Sequence, residues 1–377
     1  MLFSVRSFLA AKYHAFNNSD NSFVLMTFCN LFTISYQIFE IISLSMAIIS
    51  TGFDGQLGSV YLVTTRVLSF VMWGSLAVHR HDLKLMWIFL MGLQRRCADH
   101  RRRKHIRTIN WIMLAFLVQE LIPMTVWIIK GHTGSVVSFY ENDTIEKLNS
   151  VFYPVTLFTL TFVFSYALIV GTSIIAALGL EFRMVGSDFE GMFDNLGSLE
   201  PSNEDSEHNW TTMENTFKRC ALRHQILLGV TITLRDLLKT NSLIQLLTYF
   251  TMVAVGAFVY VFTQTSFGIG VVFFAFCVFA TSVNLLLYGF VCDRLDDQMI
   301  SIGHRVYSSG WPDKLIYSRA YARRFKDFRK MMLIVMERAQ KSVEFTCGNF
   351  FVMSLITCRQ VLWFAYSVFT VMISFLE

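Results

Sequence analysis

Histidine has the widest chemical reach in this sequence, and its spacing is the first thing to weigh. His79-Arg-His81 and His100-Arg-Arg-Arg-Lys-His105 bring imidazoles close together, which raises di-iron chemistry, a site type that needs several adjacent histidines to hold two metal ions. No His-His pair occurs, His14, His132, His208, His224 and His304 stand apart, and the intervening arginines would repel cations. A solvated basic loop facing anionic lipid accounts for both clusters. The seven cysteines, Cys29, Cys97, Cys220, Cys277, Cys292, Cys347 and Cys358, show no CxxC spacing and no cluster, so neither a disulfide framework nor a zinc site is indicated. No catalytic set, metal or cofactor is expected, and the chain does not read as an enzyme.

Three further ionisable residues matter because of their surroundings. Glu40, Arg66 and Glu120 each interrupt a long apolar run, where a charge is costly and calls for a partner or water. Those runs dominate the chain. Of 377 residues, 54% are hydrophobic, 15% aromatic and 16% charged, against roughly 25% charge in soluble domains. Apolar stretches near 28–50, 58–78, 109–130, 151–179, 242–264, 267–291 and 350–375 each approach the ~20 residues that cross a bilayer as a helix. The expectation is an all-α, polytopic membrane protein with seven transmembrane helices, in contact with lipid and without a nucleic-acid partner. Met1 to Ser22 lacks an apolar core with a cleavage site and reads as a retained amphipathic segment.

Loop charge sets the orientation, because short loops rich in Lys and Arg stay cytoplasmic. Between the second and third runs stand Arg80, Lys84, Arg95, Arg96, Arg101, Arg102, Arg103, Lys104 and Arg107. The fourth-to-fifth and sixth-to-seventh connections are similarly basic, whereas Thr51 to Leu57 has no positive charge and Gly131 to Ser150 has only Lys147. The N-terminus is therefore expected in the cytoplasm and the C-terminus outside, the reverse of a G-protein-coupled receptor. On this topology Asn142-Asp-Thr144 can be glycosylated at Asn142, while Asn17 and Asn209 fall on the wrong side.

The inner segments differ in character. Gly186 to Glu214 is rich in Asp, Glu, Ser, Asn and Gly and is expected to be mostly a flexible loop. Ile316 to Val343 has no proline or glycine, and Phe325, Phe328, Met332, Val335 and Met336 recur at helical spacing, which predicts a cytoplasmic helix packing on one face. The inner halves of the fourth, fifth and sixth spans should extend that helix into an anchor bundle. Gly310-Trp-Pro-Asp313 predicts a turn before it, and Cys347-Gly-Asn349 a break after it. Met353 to Met372 then forms a last apolar helix, placed to serve through its own face, as in lining a pore. These features divide the chain into 1–291, 292–346 and 347–377: six spans with their inner extensions, the anchor segment and the terminal helix. Only Pro123 and Pro154 interrupt spans, and no internal symmetry of the transporter kind is visible.

Four pieces of sequence in order carry a specific likeness: Tyr307-Ser-Ser-Gly-Trp311; Arg329-Lys-Met-Met-Leu-Ile-Val-Met-Glu-Arg-Ala-Gln-Lys341; Cys347-Gly-Asn-Phe-Phe with Met353-Ser-Leu-Ile-Thr357; and Ala365-Tyr-Ser-Val-Phe-Thr370. Together they resemble the C-terminal signature of insect odorant receptors, over about the last third of the chain. Cys220-Ala-Leu-Arg-His224 adds a weaker echo. Ser342 departs from a frequent proline and Val368 from a frequent aromatic. The related gustatory receptors and the shared odorant co-receptor end in a glutamine-containing motif that is missing where Ser367-Val, Phe369 to Ile373 and Ser374-Phe375 stand, so an odorant-tuned subunit is the better fit and a homomeric gustatory-type channel the alternative.

The resemblance implies a nonselective cation channel gated by a small volatile odorant. Four subunits, this chain and the odorant co-receptor, would surround a central pore in the plasma membrane of olfactory sensory neurons. It also points to a ligand pocket in the outer halves of the second, third, fourth and sixth spans. The candidates there are Tyr61, Thr65, Glu120, Pro123, Trp127, Phe158, Thr161, Phe162, Phe273 and Phe276, which describe a mostly apolar cavity with a few hydroxyls, suited to a small aromatic or heteroaromatic odorant. Aromatic stripes at such spacing also serve plain helix packing, and Glu120 could equally belong to a structural ion pair. In the terminal helix the motif alignment places Val371 and Phe375 at a hydrophobic gate, with Ser367, Thr370 and Ser374 as the polar groups exposed on opening.

Overall fold

Residues 168–194, 206–262, 269–311 and 319–374, with Leu315, Tyr317 and single helical positions between 35 and 119, are described by a computed structural model. Apolar residues at three- and four-residue spacing make the helices and face them inward. Helix α1 covers 168–190 and tightens into a 3-10 turn, Gly191–Phe193. Its buried stripe is Ile174, Ile175, Leu178, Phe182, Val185 and Phe189. Helix α2, Ser206–Phe262, runs for 57 residues, roughly 85 Å at 1.5 Å per residue. Helix α3, Ile269–Ser308, has 40 residues, roughly 60 Å, with Leu285, Tyr288, Cys292, Leu295, Met299, Ile302 and Val306 turned inward.

A hydrocarbon layer is only about 30 Å thick, so α2 and α3 are each far longer than a single crossing requires. Two described segments, Leu168–Phe193 and Val278–Ser308, are long and apolar enough to cross a membrane, and Leu355–Val371 is a shorter apolar helix. The expected extension of these helices into a bundle is what the structure shows, and helix α4, Ala322–Ala339, completes it. Phe328 and Met332 of α4 are fully buried. Phe328 meets Phe217 at 5.0 Å and Trp210 at 6.5 Å between ring centroids, and Phe189 meets Phe217 at 5.7 Å.

Two expectations need correction. Gly186 to Glu214 is not mostly loop: α1 and its 3-10 turn reach Phe193, and α2 begins at Ser206. The large apolar residues described in this stretch, Phe189, Met192, Phe193, Trp210 and Met213, are buried, and their burial outweighs a polar composition. The inner helix is also shorter than 316–343. A 3-10 turn, Arg319–Tyr321, precedes α4, and Gln340 caps its end. Beyond it, buried Val343, Phe345 and Cys347 alternate with the exposed side chains of Ser342 and Glu344, the two-residue period of extended chain.

That chain enters a hairpin of β1, Thr346–Cys347, and β2, Phe351–Val352, with Thr346 opposite Val352 and Cys347 opposite Phe351. Gly348 (φ 57°) and Asn349 (φ 65°) are both left-handed, and the Phe350 N–H donates to Cys347 O at 2.9 Å, the geometry of a type I′ turn. The Gly348 N–H also donates to Lys239 O of α2 at 3.0 Å.

Ion pairs tie the bundle together. Arg223 on α2 donates to Glu181 of α1 at 2.7 Å and to Asp188 at 3.0 Å; the Glu181 side chain is 3% exposed and that of Asp188 50%. Arg305 on α3 reaches Arg183 O and lies 3.8 Å from Glu190, while Arg324 on α4 contacts Glu207 at 2.8 Å. Beside Arg223, His224 is buried with its ring edge-on to Phe182, and burial, helped by the Arg338 charge, pushes its pKa down to about 4. It therefore serves as a neutral core group near pH 7. Arg223→Ala should destabilise the folded protein by about 3–5 kcal/mol, because it strips the guanidinium from a buried carboxylate, whereas Asp188→Ala should cost no more than about 1 kcal/mol. Thermal unfolding in detergent should rank the two in that order, and equal melting temperatures would show that Glu181 does not depend on Arg223.

Candidate pore helix and its anchorage

The terminal helix, α5, Leu355–Ser374, begins at a site built by three elements. Ser354 is its local cap: its Oγ accepts the Thr357 N–H at 3.1 Å, satisfying one of the free donors of a helix start. The Leu355 N–H donates instead to Asp293 Oδ2 of α3 at 2.9 Å. One turn back along α3, Gly289 lies against the same helix start. A Cβ at 289 would sit 2.7 Å from Cys358 Sγ and 3.1 Å from the Ser354 carbonyl group. A further turn back, Leu285 O accepts the Cys358 thiol at 3.4 Å. Leu285, Gly289 and Asp293 therefore form one stripe, at spacings of four, that meets the first turn of α5.

Buried sulfur fills the junction between this stripe and the hairpin. Cys347 and Cys358 lie 3.8 and 3.9 Å from Met353 Sδ, and Cys220, Cys292, Cys347 and Cys358 are free and buried. Burial pushes the Cys347 thiol up to about 11, so it is protonated and unreactive at neutral pH. Between α2 and α3, Ser242 Oγ and Tyr288 Oη share a hydrogen bond at 2.9 Å. Among the described residues no group of three His, Cys, Asp or Glu could hold a metal ion.

From this anchorage α5 presents two faces. Cys358 and Ala365 are buried, Val361 and Leu362 pack against the core, and Phe364 meets Phe250 of α2 edge-on at 6.1 Å. Trp363, Tyr366 and Val371 remain exposed on the single chain. Ser367, Thr370, Val371 and Ser374 all lie on α5, at offsets that bring them round one side. Each hydroxyl donates to its own helix: Ser367 to Trp363 O at 3.0 Å, Thr370 to Ser367 O at 2.9 Å, and Ser374 to Val371 O at 2.8 Å. Their lone pairs stay open to accept from water or to face a cation.

Phe375 lies outside the described residues, as do Tyr61, Thr65, Glu120, Pro123, Trp127, Phe158, Thr161, Phe162 and Asn142. The ionisable Glu40 and Arg66 lie outside them too. Phe273 and Phe276 are both in α3, and the Phe276 ring is 36% exposed. Sequence reasoning missed the roles of Asp293 and Gly289. Ser354, a good capping residue directly before the apolar run from Leu355, was a readable start signal for α5; its partner on α3 had no local signal.

Among the described residues, a helical bundle that leads through a tight hairpin into an apolar terminal helix has the form of a membrane receptor. The family description "7tm Odorant receptor" matches residues 59–366, and the chain belongs to that family; it is a membrane protein. The insect olfactory receptor OR5 from Machilis hrabei has the same fold: TM-score 0.69 over 90% of this chain and 87% of that one, at 13% identity. The same receptor in complex with eugenol superposes with TM-score 0.67 over 91% and 88%, again at 13% identity. No curated protein matches the sequence.

Gly289→Ala should force α5 away from α3. The displacement costs about 1–3 kcal/mol in a close-packed contact, read as a lower melting temperature and less receptor at the cell surface. Adding Cys358→Ala should recover only part of the loss, since the Ser354 backbone, also 3.1 Å away, cannot retreat. Full recovery would mean that only the thiol stands in the way.

Proposed function

We propose that this chain is the odorant-tuned subunit of a ligand-gated, nonselective cation channel, assembled as a heterotetramer with the odorant co-receptor in the plasma membrane of olfactory sensory neurons. The observation that carries the reading is the family match across 59–366, which takes in everything from the second apolar run to the middle of α5. The N-terminus is cytoplasmic and the C-terminus extracellular, in keeping with the basic loops. The units are 1–291 for the ligand-binding spans, 292–346 for the anchor and 347–377 for the pore helix.

The ligand is a small volatile held among Tyr61, Thr65, Glu120, Pro123, Trp127, Phe158, Thr161, Phe162, Phe273 and Phe276. That a receptor of the same fold forms a complex with eugenol supports a ligand of this size. Val371 and Phe375 form this subunit's share of a hydrophobic gate, which blocks ions by dewetting. The self-satisfied hydroxyls of Ser367, Thr370 and Ser374 support a wet face beside it. Asn142 carries a glycan in the outer loop.

Whole-cell recording in a host without endogenous co-receptor tests the reading. Volatiles should evoke cation current only on co-expression with the co-receptor, and a cysteine at Val371 should react with an external charged thiol reagent faster when odorant is present. Robust odorant current from this chain alone would favour the homomeric, gustatory-type assembly. Equal modification with and without odorant would remove Val371 from the gate.

A further inference from the structure

Asp293 has no assigned task, yet it is the only described side chain outside the α5 cap itself that accepts a backbone N–H from the start of that helix, Leu355 N–H to Oδ2 at 2.9 Å across 62 residues of sequence. The free N–H groups at a helix start carry a partial positive charge, and a carboxylate is the strongest acceptor a protein can offer them. The contact is not isolated. Ser354 caps the Thr357 N–H two residues on, Gly289 allows backbone approach that a methyl would prevent, and the Cys358 thiol donates to Leu285 O. Leu285, Gly289 and Asp293 lie one turn apart, so α3 holds the first turn of α5 at three successive levels. Two of these are neutral contacts. The third is charged and occupies the Leu355 N–H, a donor that would otherwise seek water.

We propose that Asp293 is the positioning residue of the terminal helix: its carboxylate fixes the register and entry angle of α5 on α3, so that movement along α3 is transmitted to the helix face bearing Ser367, Thr370, Val371 and Ser374. The proposal rests on the channel reading above for its functional half. Its structural half, a charged hold of α3 on the α5 start, stands independently. Asp293 touches neither ligand nor pore face in this account, and it acts through α5 alone.

The full-length chain carrying Asp293→Ala, Asp293→Asn or Leu355→Pro is compared with the parent, alone and with Asp293→Ala and Leu355→Pro combined. Proline is well tolerated as the first residue of a helix, where it removes an N–H and keeps the helix. Asp293→Ala should speed hydrogen exchange at the Leu355 amide roughly tenfold, in line with a lost charge-assisted hydrogen bond, and exchange at the neighbouring Ile356 and Thr357 amides should rise as the first turn loosens. Co-expressed with the co-receptor, it should also lower odorant-evoked current per receptor at the surface. Asp293→Asn, which keeps an acceptor oxygen without the charge, should fall between. Leu355→Pro should reproduce the alanine phenotype, and the double variant should be no worse than either single one, the non-additivity of a shared bond. Unchanged exchange and unchanged current in Asp293→Ala overturn the proposal, as do additive effects of Asp293→Ala and Leu355→Pro. Should the alanine variant fail to reach the surface, the asparagine variant decides alone: parent-like exchange and current overturn the proposal, and an intermediate loss supports it. If the parent gives no odorant current while Asp293→Ala still speeds exchange, the hold on α5 stands and the channel reading falls.

Discussion

Where α3 passes Ser354 and Cys358, a glycine lets two backbones approach to a distance that no other residue permits, and the terminal helix starts from that contact. With a Cβ position 2.7 Å from Cys358 Sγ and 3.1 Å from the Ser354 carbonyl group, Gly289 leaves no slack in the placement of the α5 first turn. The hairpin before it is equally fixed, since Gly348 and Asn349 are left-handed and the Gly348 amide is bound to Lys239 O on α2. The chain therefore reaches α5 held on one side by α2 and on the other by α3. Whatever the helix does along its length begins from a rigid base.

That base is rigid because the helices supplying it are far longer than a bilayer requires. The polar half of α2, from Ser206, buries Trp210, Met213, Phe217 and Cys220, and α4 closes over them with Phe328 and Met332. Charged groups on the same elements are paired across helices, Arg223 to Glu181 and Arg324 to Glu207, so the bundle is pinned in register as well as packed. Membrane-spanning and projecting parts are the same continuous helices. Asp293 is the point at which α3 is bonded to the start of α5.

Much of this was legible in the sequence. Long apolar runs announced the helices and the spacing of Phe328 and Met332 announced the buried face of α4, whereas Cys347-Gly-Asn announced only a break, where the structure has a β-hairpin. Local composition misled where a few residues outweigh many: Phe189, Met192, Phe193, Trp210 and Met213 hold helix through a stretch otherwise polar enough to read as loop. Period misled at Lys341, where the chain changes from helical to extended spacing without a proline or glycine to mark it. The contacts that position the terminal helix were not legible at all. Asp293 and Leu355 are 62 residues apart, and Glu181 and Arg223 are 42 apart, so no pattern within a helix or strand could have paired them. The candidate ligand residues on the second, third, fourth and sixth spans rest on family resemblance, which gives positions and not contacts.

The central claim, that α3 grips the first turn of the terminal helix at Gly289, has a direct chemical test. A disulfide places each Cβ about 3 Å from the partner sulfur, so the proximity that excludes an alanine methyl suits a bond between Gly289→Cys and the native Cys358. Purified Gly289→Cys receptor, treated with a mild oxidant and digested, should yield a 289–358 disulfide by mass spectrometry, with the parent protein giving none at Cys358. Folded receptor in which both thiols stay free after oxidation, or in which Cys358 bonds elsewhere, would contradict the account.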